Sequence, residues 1–336
     1  MVERRFFKPV ERLVNPLRHR LRGAPRTAFI FSGGGSLGAV QIGMLRALVE
    51  AGINADLVVG CSVGAINGAA FAAEPSVRGV ARLERIWRRL AADDPALMPN
   101  PRLPVAVQLA RKGESLHDPA TLETLLTDEL PAATFEDLRI PFHCVATDLD
   151  RAREHWFTEG PLVPALMASA SLPAVYPAHS HGGRTFIDGG VLNEVHTERA
   201  LELGATELYV LHVGHLDDRQ TDVQRPFDSA LRAYWTARRW RLEENLRQIP
   251  PGCVLHRLPS GSTPRLRFDD FSQGPDLAEI AYEQTAEYLA TGILPTEQPV
   301  SMTASEQEAI AQDAEPPPAA PTGESETDDD AIASTP

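Results

Sequence analysis

The stretch that decides the fold lies between Ala28 and Ala73. It reads Ala28-Phe29-Ile30-Phe31, then Ser32-Gly33-Gly34-Gly35-Ser36-Leu37-Gly38, then Leu57-Val58-Val59 followed by Gly60-Cys61-Ser62-Val63-Gly64. Short apolar runs bounded by glycine clusters read as buried strands, here Ala28–Phe31 and Leu57–Val59. Leu37–Ala51 and Ala65–Ala73 read as helices. Two strands that each feed a glycine turn and then a helix make a parallel βαβ unit.

The glycines at the two turns suggest two kinds of chemistry. In the first turn, Gly33, Gly34, Gly35, Ser36 and Gly38 can bring bare backbone N–H groups up to a bound oxygen, where the following helix N-terminus adds positive potential. Gly33-x-Gly35-x-x-Gly38 also satisfies the dinucleotide fingerprint. That fingerprint needs an acid at the end of the second strand, and the nearest acids, Glu50 and Asp56, stand elsewhere. The second turn, with Gly60 and Gly64 flanking Ser62, is G-x-S-x-G between a strand and a helix, the context of a nucleophile elbow. Gly35 and Ser62 are 27 positions apart, one strand–helix–strand unit. Adjacent parallel strands would therefore bring both turns to the carboxyl end of the sheet, where open α/β sheets bind ligands.

A third motif, Phe186-Ile187-Asp188-Gly189-Gly190, is a short β run ending in a carboxylate and two glycines. It can be an ordinary Asp-Gly turn. In a functional reading Asp188 takes the Ser62 proton directly, which requires desolvation, close contact and strong oxyanion stabilisation, because a free aspartate is a weak base. A histidine base is the other option. His196, His212, His215 and His256 follow Asp188, and His196 is the best placed by order, but none has a motif of its own. No metal-ligand spacing such as HExxH is present.

Further out, Phe142–Ala146, Thr185–Ile187, Leu208–Val213 and Val254–Leu258 read as strands, and Ala230–Leu246 and Asp276–Ala290 as helices, the latter stopped by Gly292. The alternation predicts a largely parallel sheet covered on both faces. Residues 93–119 are Pro-rich and read as a lid or substrate-facing insertion. Three regions are expected: a basic amphipathic arm over 1–26, a catalytic domain over 27–295 and an acidic disordered tail over 296–336. In the arm, Phe6, Val10, Leu13, Leu17 and Leu21 share a helical face among arginines, which suits either a lipid interface or the domain's own surface. The tail holds ten Asp/Glu and no Lys or Arg.

Composition excludes several classes. The 336-residue chain is 43% hydrophobic, enough for a core, and its net charge of -14 argues against a nucleic-acid partner. Three scattered cysteines without a secretory leader lead to the expectation of a reducing, cytoplasmic setting, with peripheral contact at the inner membrane face through the arm.

These motifs, in this order, resemble the patatin-like phospholipase family. Thr134–Leu138, Ile140-Pro141, Val145–Leu149 and Ala168-Ser169-Ala170-Ser171-Leu172-Pro173 add connecting blocks, and the resemblance covers residues 27–215 well and 216–294 loosely. It implies a three-layer α/β/α sandwich with a mainly parallel central sheet, and an acyl hydrolase acting on lipid esters through a Ser62–Asp188 dyad and an acyl-enzyme. The oxyanion hole would lie around Gly34, Gly35 and Ser36, with Gly189 and Gly190 completing the aspartate motif and with no metal or organic cofactor. Two positions depart from the family pattern: Leu37 stands where a basic residue is common, and Asn193-Glu194-Val195-His196 lacks a proline. The alternatives are an α/β-hydrolase esterase with a Ser–His–Asp triad, and a non-catalytic lipid- or protein-binding module.

Overall fold

The computed structural model describes residues 26–91, 118–173, 175–214, 226–261 and 271–293. The expected arm, acidic tail and Pro-rich lid, and His215, therefore fall outside the described residues, apart from Arg26, Asp118 and Pro119. The described strands are β1 (Thr27–Phe31), β2 (Leu57–Cys61), β3 (Phe142–Asp148), β4 (Arg153–Phe157), β5 (His179–His181), β6 (Arg184–Asp188), β7 (Glu207–Leu211) and β8 (Val254–Arg257). They form one sheet in the order β5-β6-β3-β2-β1-β7-β8, with β4 also paired to β3. The helices are α1 (Ala39–Glu50), α2 (Val63–Ala73), α3 (Val77–Ala91), α4 (Pro119–Glu129), α5 (Leu162–Ala170), α6 (Thr197–Glu202), α7 (Pro226–Arg247) and α8 (Gly274–Thr291).

The three-layer α/β/α arrangement follows from side-chain alternation. On β1, Phe29 and Phe31 face a core built with α1, α2, α3, α5 and α8, while Ala28 and Ile30 face a second core with Ala200 of α6 and Leu242 of α7. Both faces are covered, so β1 and β2 are buried at every residue and read as continuous apolar runs.

Pairing is parallel for β1 with β2 and β7, for β2 with β3 and for β7 with β8. β3 pairs antiparallel with both β4 and β6, and β5 with β6. The sheet is thus parallel in one half and antiparallel in the other, a division the apolar runs did not reveal. β4 and β5 were not legible because they are only half-buried and carry Arg, Glu and His rather than an apolar run. Helices α3 to α6 were also missed. The helix expected to start at Leu37 begins with a 3-10 turn over Gly35–Gly38 and becomes α-helical at Ala39. Gly292 ends α8 in a left-handed conformation, as its position implied.

Candidate functional site

The site forms where two strands meet end to end. Val58–Cys61 of β2 lie opposite Phe142–Val145 of β3, and Asp188–Phe186 of β6 lie opposite Ala146–Asp148. β4 pairs with Cys144–Asp148 and so takes up the other edge of β3 along those residues. β2 and β6 therefore share one edge of β3 and approach head-on. Cys61 is opposite Val145 and Asp188 opposite the next residue, Ala146, so the serine after Cys61 emerges beside the aspartate.

Ser62 sits at φ 56° and ψ -128°, in a region costly for a residue with a Cβ. Close packing holds the turn in that shape. A Cβ on Gly60 would lie 2.7 Å from Ala65 Cα, and one on Gly64 would lie 2.3 Å from the Ser32 carbonyl oxygen. The Ser62 N–H donates to Ser169 Oγ at 2.9 Å, and its hydroxyl donates to Asp188 Oδ2 at 2.5 Å.

Asp188 is 3% exposed. Its Oδ1 accepts the Gly190 N–H at 2.7 Å, its own N–H donates to the Ser171 carbonyl at 2.9 Å, and its carbonyl accepts the Thr147 hydroxyl at 3.0 Å. Burial pushes its carboxyl above the usual carboxylate range. The Ser62 hydrogen bond, the Arg238 guanidinium and the Gly190 amide act in the opposite direction. Burial likewise keeps the neighbouring thiols neutral: that of Cys61 is pushed well up, and that of Cys144 to about 12.

The glycine loop reaches the same place. The Cβ position of Gly33 is 3.3 Å from Ser62 Cβ, that of Gly34 is 2.2 Å from Val213, and that of Gly38 is 2.6 Å from Val63. At Gly34 the side chain of Val213, and at Gly38 those of Val63 and Trp87, stand where a Cβ would go. Ser36 and Leu37 are buried. Among the described residues, the amides of Gly33, Gly34 and Gly35 donate to no protein acceptor. Gly189 packs against β3, its Cβ position 2.7 Å from the Val145 carbonyl.

The histidines named from the sequence have other neighbours. His196 is 1% exposed, with Nε2 3.2 Å from Glu154 Oε1 and its ring edge-on to Trp156. His212 faces Glu194, and His256 faces Tyr288 and Glu207. Sequence reasoning missed Ser169, Thr147, Glu194 and Arg238. Ser169 lay inside a recognised block, but nothing in the sequence indicated that its hydroxyl would bond the elbow amide.

In class, this is an α/β protein with a half-buried serine hydrogen-bonded to a buried carboxylate, beside backbone amides that among the described residues have no protein acceptor, at the end of its sheet. The chain belongs to the patatin-like phospholipase family, whose model matches residues 29–201. That match takes in the glycine loop, the elbow and Asp188, and stops before α7. Similar proteins include "Lysophospholipase nte1" of Aspergillus terreus, 25% identical over 81% of this chain and 18% of its own length. "Patatin-like phospholipase domain-containing protein 7" of Rattus norvegicus is 29% identical over 71% of this chain and 17% of its own length. The chain thus spans less than a fifth of the length of the curated relatives it matches. Among solved structures, VipD from Legionella pneumophila aligns with 80% of this chain and 67% of its own at 14% identity and a TM-score of 0.43. No helix among the described residues is long and apolar enough to cross a membrane.

Proposed function

We propose that this chain is a lipid acyl hydrolase that cleaves carboxylic esters with Ser62 as nucleophile and Asp188 as base. The observation that carries this reading is the 2.5 Å hydrogen bond from the Ser62 hydroxyl to a buried Asp188 carboxylate. As the Ser62 oxygen attacks the acyl carbonyl, Asp188 takes its proton. The amides of Gly33, Gly34 and Gly35, with that of Ser36 beside them, hold the tetrahedral oxyanion, and the alcohol departs with a proton returned by Asp188. Water then hydrolyses the acyl-enzyme, with Asp188 again as base. Burial improves the match between aspartate and serine because a carboxylate of raised pKa is the stronger base.

The family and the names of the relatives support a lipid ester as substrate. The contacts of His196 with Glu154 and Trp156 favour the dyad over a triad. In this reading the 1–26 arm, a basic amphipathic segment, would bring the enzyme to anionic lipid at the inner membrane face, and no nucleic acid takes part. The test is a panel of short-chain and lipid esters with wild type, Ser62→Ala, Asp188→Asn and His196→Ala. Ser62→Ala and Asp188→Asn should each lose about 10⁴-fold or more in kcat with the fold intact, while His196→Ala keeps measurable activity. A reversal of the aspartate and histidine results would replace the dyad with a triad. A wild type inert toward every ester would favour a binding module.

A further inference from the structure

The glycine loop contributes no charged side chain, since Gly33–Gly38 contains only glycines, Ser36 and Leu37. A cation nevertheless lies beside the serine–aspartate pair, and it comes from α7. Arg238 is 6% exposed. Its Nη2 lies 3.1 Å from the Cβ position of Gly190 and 3.6 Å from that of Gly33. Gly190 donates its amide to Asp188, and Gly33 abuts Ser62 Cβ. The guanidinium thus stands beside one glycine from each motif, tight against the Cβ position of Gly190 and in ordinary van der Waals contact with that of Gly33. Its counter-ion is Glu194, 8% exposed, whose Oε1 lies 3.4 Å from His212 Nε2.

We propose that Arg238, anchored by Glu194, is a positioning residue that holds Asp188 as the anion Ser62 requires and fastens the glycine loop to the Asp188–Gly190 turn. The proposal rests on the hydrolase reading above and adds an electrostatic partner from a part of the chain the family match does not reach. Arg238 is buried and ion-paired, so it acts through Asp188 rather than on a substrate headgroup.

Magnitudes show what such a cation contributes. Full burial raises a carboxyl by up to about 3–5 pH units, and one opposite charge within ~4–6 Å lowers it by about 1–3. A protonated Asp188 cannot accept the serine proton. The groups facing Asp188 are Ser62 on the elbow, the neutral thiols of Cys61 and Cys144, its own Gly190 amide, Glu194 on the following turn and Arg238 on α7. His212, after β7, acts through Glu194. Of the two charged neighbours, Arg238 favours the anion more than Glu194 opposes it.

The test is kcat/KM against pH on a lipid ester, paired with the pH dependence of fluorophosphonate labelling of Ser62. Arg238→Gln should move the acid limb up by about 1–3 pH units. Its rate at neutral pH then falls about tenfold or more and recovers as pH rises. Arg238→Lys should keep the limb near that of wild type. Glu194→Gln removes an anion and leaves the cation, so its limb moves down. A uniform loss at every pH in Arg238→Gln, or shifts of the same sign in Arg238→Gln and Glu194→Gln, would overturn the proposal. If Arg238→Gln does not fold, the downward shift in Glu194→Gln decides alone, and an unshifted limb there refutes the role. A wild type inert to both ester and probe refutes the hydrolase reading and this role with it. An active wild type with unmoved limbs refutes only the role of Arg238.

Discussion

The two halves of the sheet hold their parts of the site by different physics. In the parallel half, β1 and β2 are buried throughout, and the elbow is shaped by backbone packed so closely that Gly60 and Gly64 cannot carry a side chain. In the antiparallel half, β4, β5 and β6 are partly exposed, and charges and hydrogen bonds tie them together. Asp148 of β3 pairs with Arg184 of β6 and with Arg151, and accepts the amides of Asp150 and Arg151. Ser62 is therefore positioned by sterics, which pH does not alter, and β6, the strand that ends in Asp188, by ion pairs and hydrogen bonds, which pH does.

Perturbing each half should expose that difference. The largest effect is expected where the halves meet. A Ser62→Ala, Asp188→Asn double variant should hydrolyse esters no more slowly than the weaker single variant, about 10⁴-fold below wild type, because the pair acts as a unit. A double variant slower by the product of the two single losses would show that the halves work independently.

Next is a purely steric change. Gly64→Ala places a methyl 2.3 Å from the Ser32 carbonyl and 2.6 Å from that of Phe31. Two backbone segments would have to part, so a loss of about 3 kcal/mol or more is expected, read as a fall in denaturation midpoint that is the same at pH 5 and pH 8.

The antiparallel half should instead be sensitive to acid. Burial alone would raise the Asp148 carboxyl, but hydrogen bonds and charge from Arg184 and Arg151 hold it down to about 2, from an ordinary 3.8. A carboxyl depressed on folding stabilises the protein above its unfolded pKa, and that stabilisation is lost as pH falls through the folded one. Unfolding midpoints should therefore decline between about pH 4 and pH 2. Asp148→Asn, less stable at neutral pH, should show a smaller decline across that window. Equal slopes in the two proteins would remove Asp148 from the account.

The smallest effect is expected on the steric side. Gly52, after α1, has φ 74° with nothing within 4 Å of its Cβ position, so Gly52→Ala should cost only the left-handed backbone strain, about 1–2 kcal/mol, with no change in ester hydrolysis.

The elbow and the glycine loop were legible in the sequence because a strained turn between a strand and a helix leaves a local record, with glycine where neighbouring parts of the fold pack too close for a side chain. Both central strands of the parallel half were readable for a related reason: burial on two faces demands unbroken apolar runs. Of the antiparallel strands, β6 was legible from Thr185–Ile187, but β4 and β5 left no such record. Arg153-Glu154-His155-Trp156-Phe157 looks like a surface segment until its pairing with β3 is known. His196 was a reasonable base by order alone, and its contacts with Glu154 and Trp156 emerged only from the fold.

By itself the sequence determined the fold class, the serine turn, the amide-rich loop and the identity of the acidic motif, because each depends on residues adjacent along the chain. Only the tertiary structure decided that Ser62 meets Asp188 across 126 positions, since that depends on β2 and β6 meeting end to end on one edge of β3. It also decided that Ser169 and Arg238 stand beside them. A polar side chain on a helix carries no sequence mark of which way it faces, and strand register across long separations is set by packing rather than by local preference.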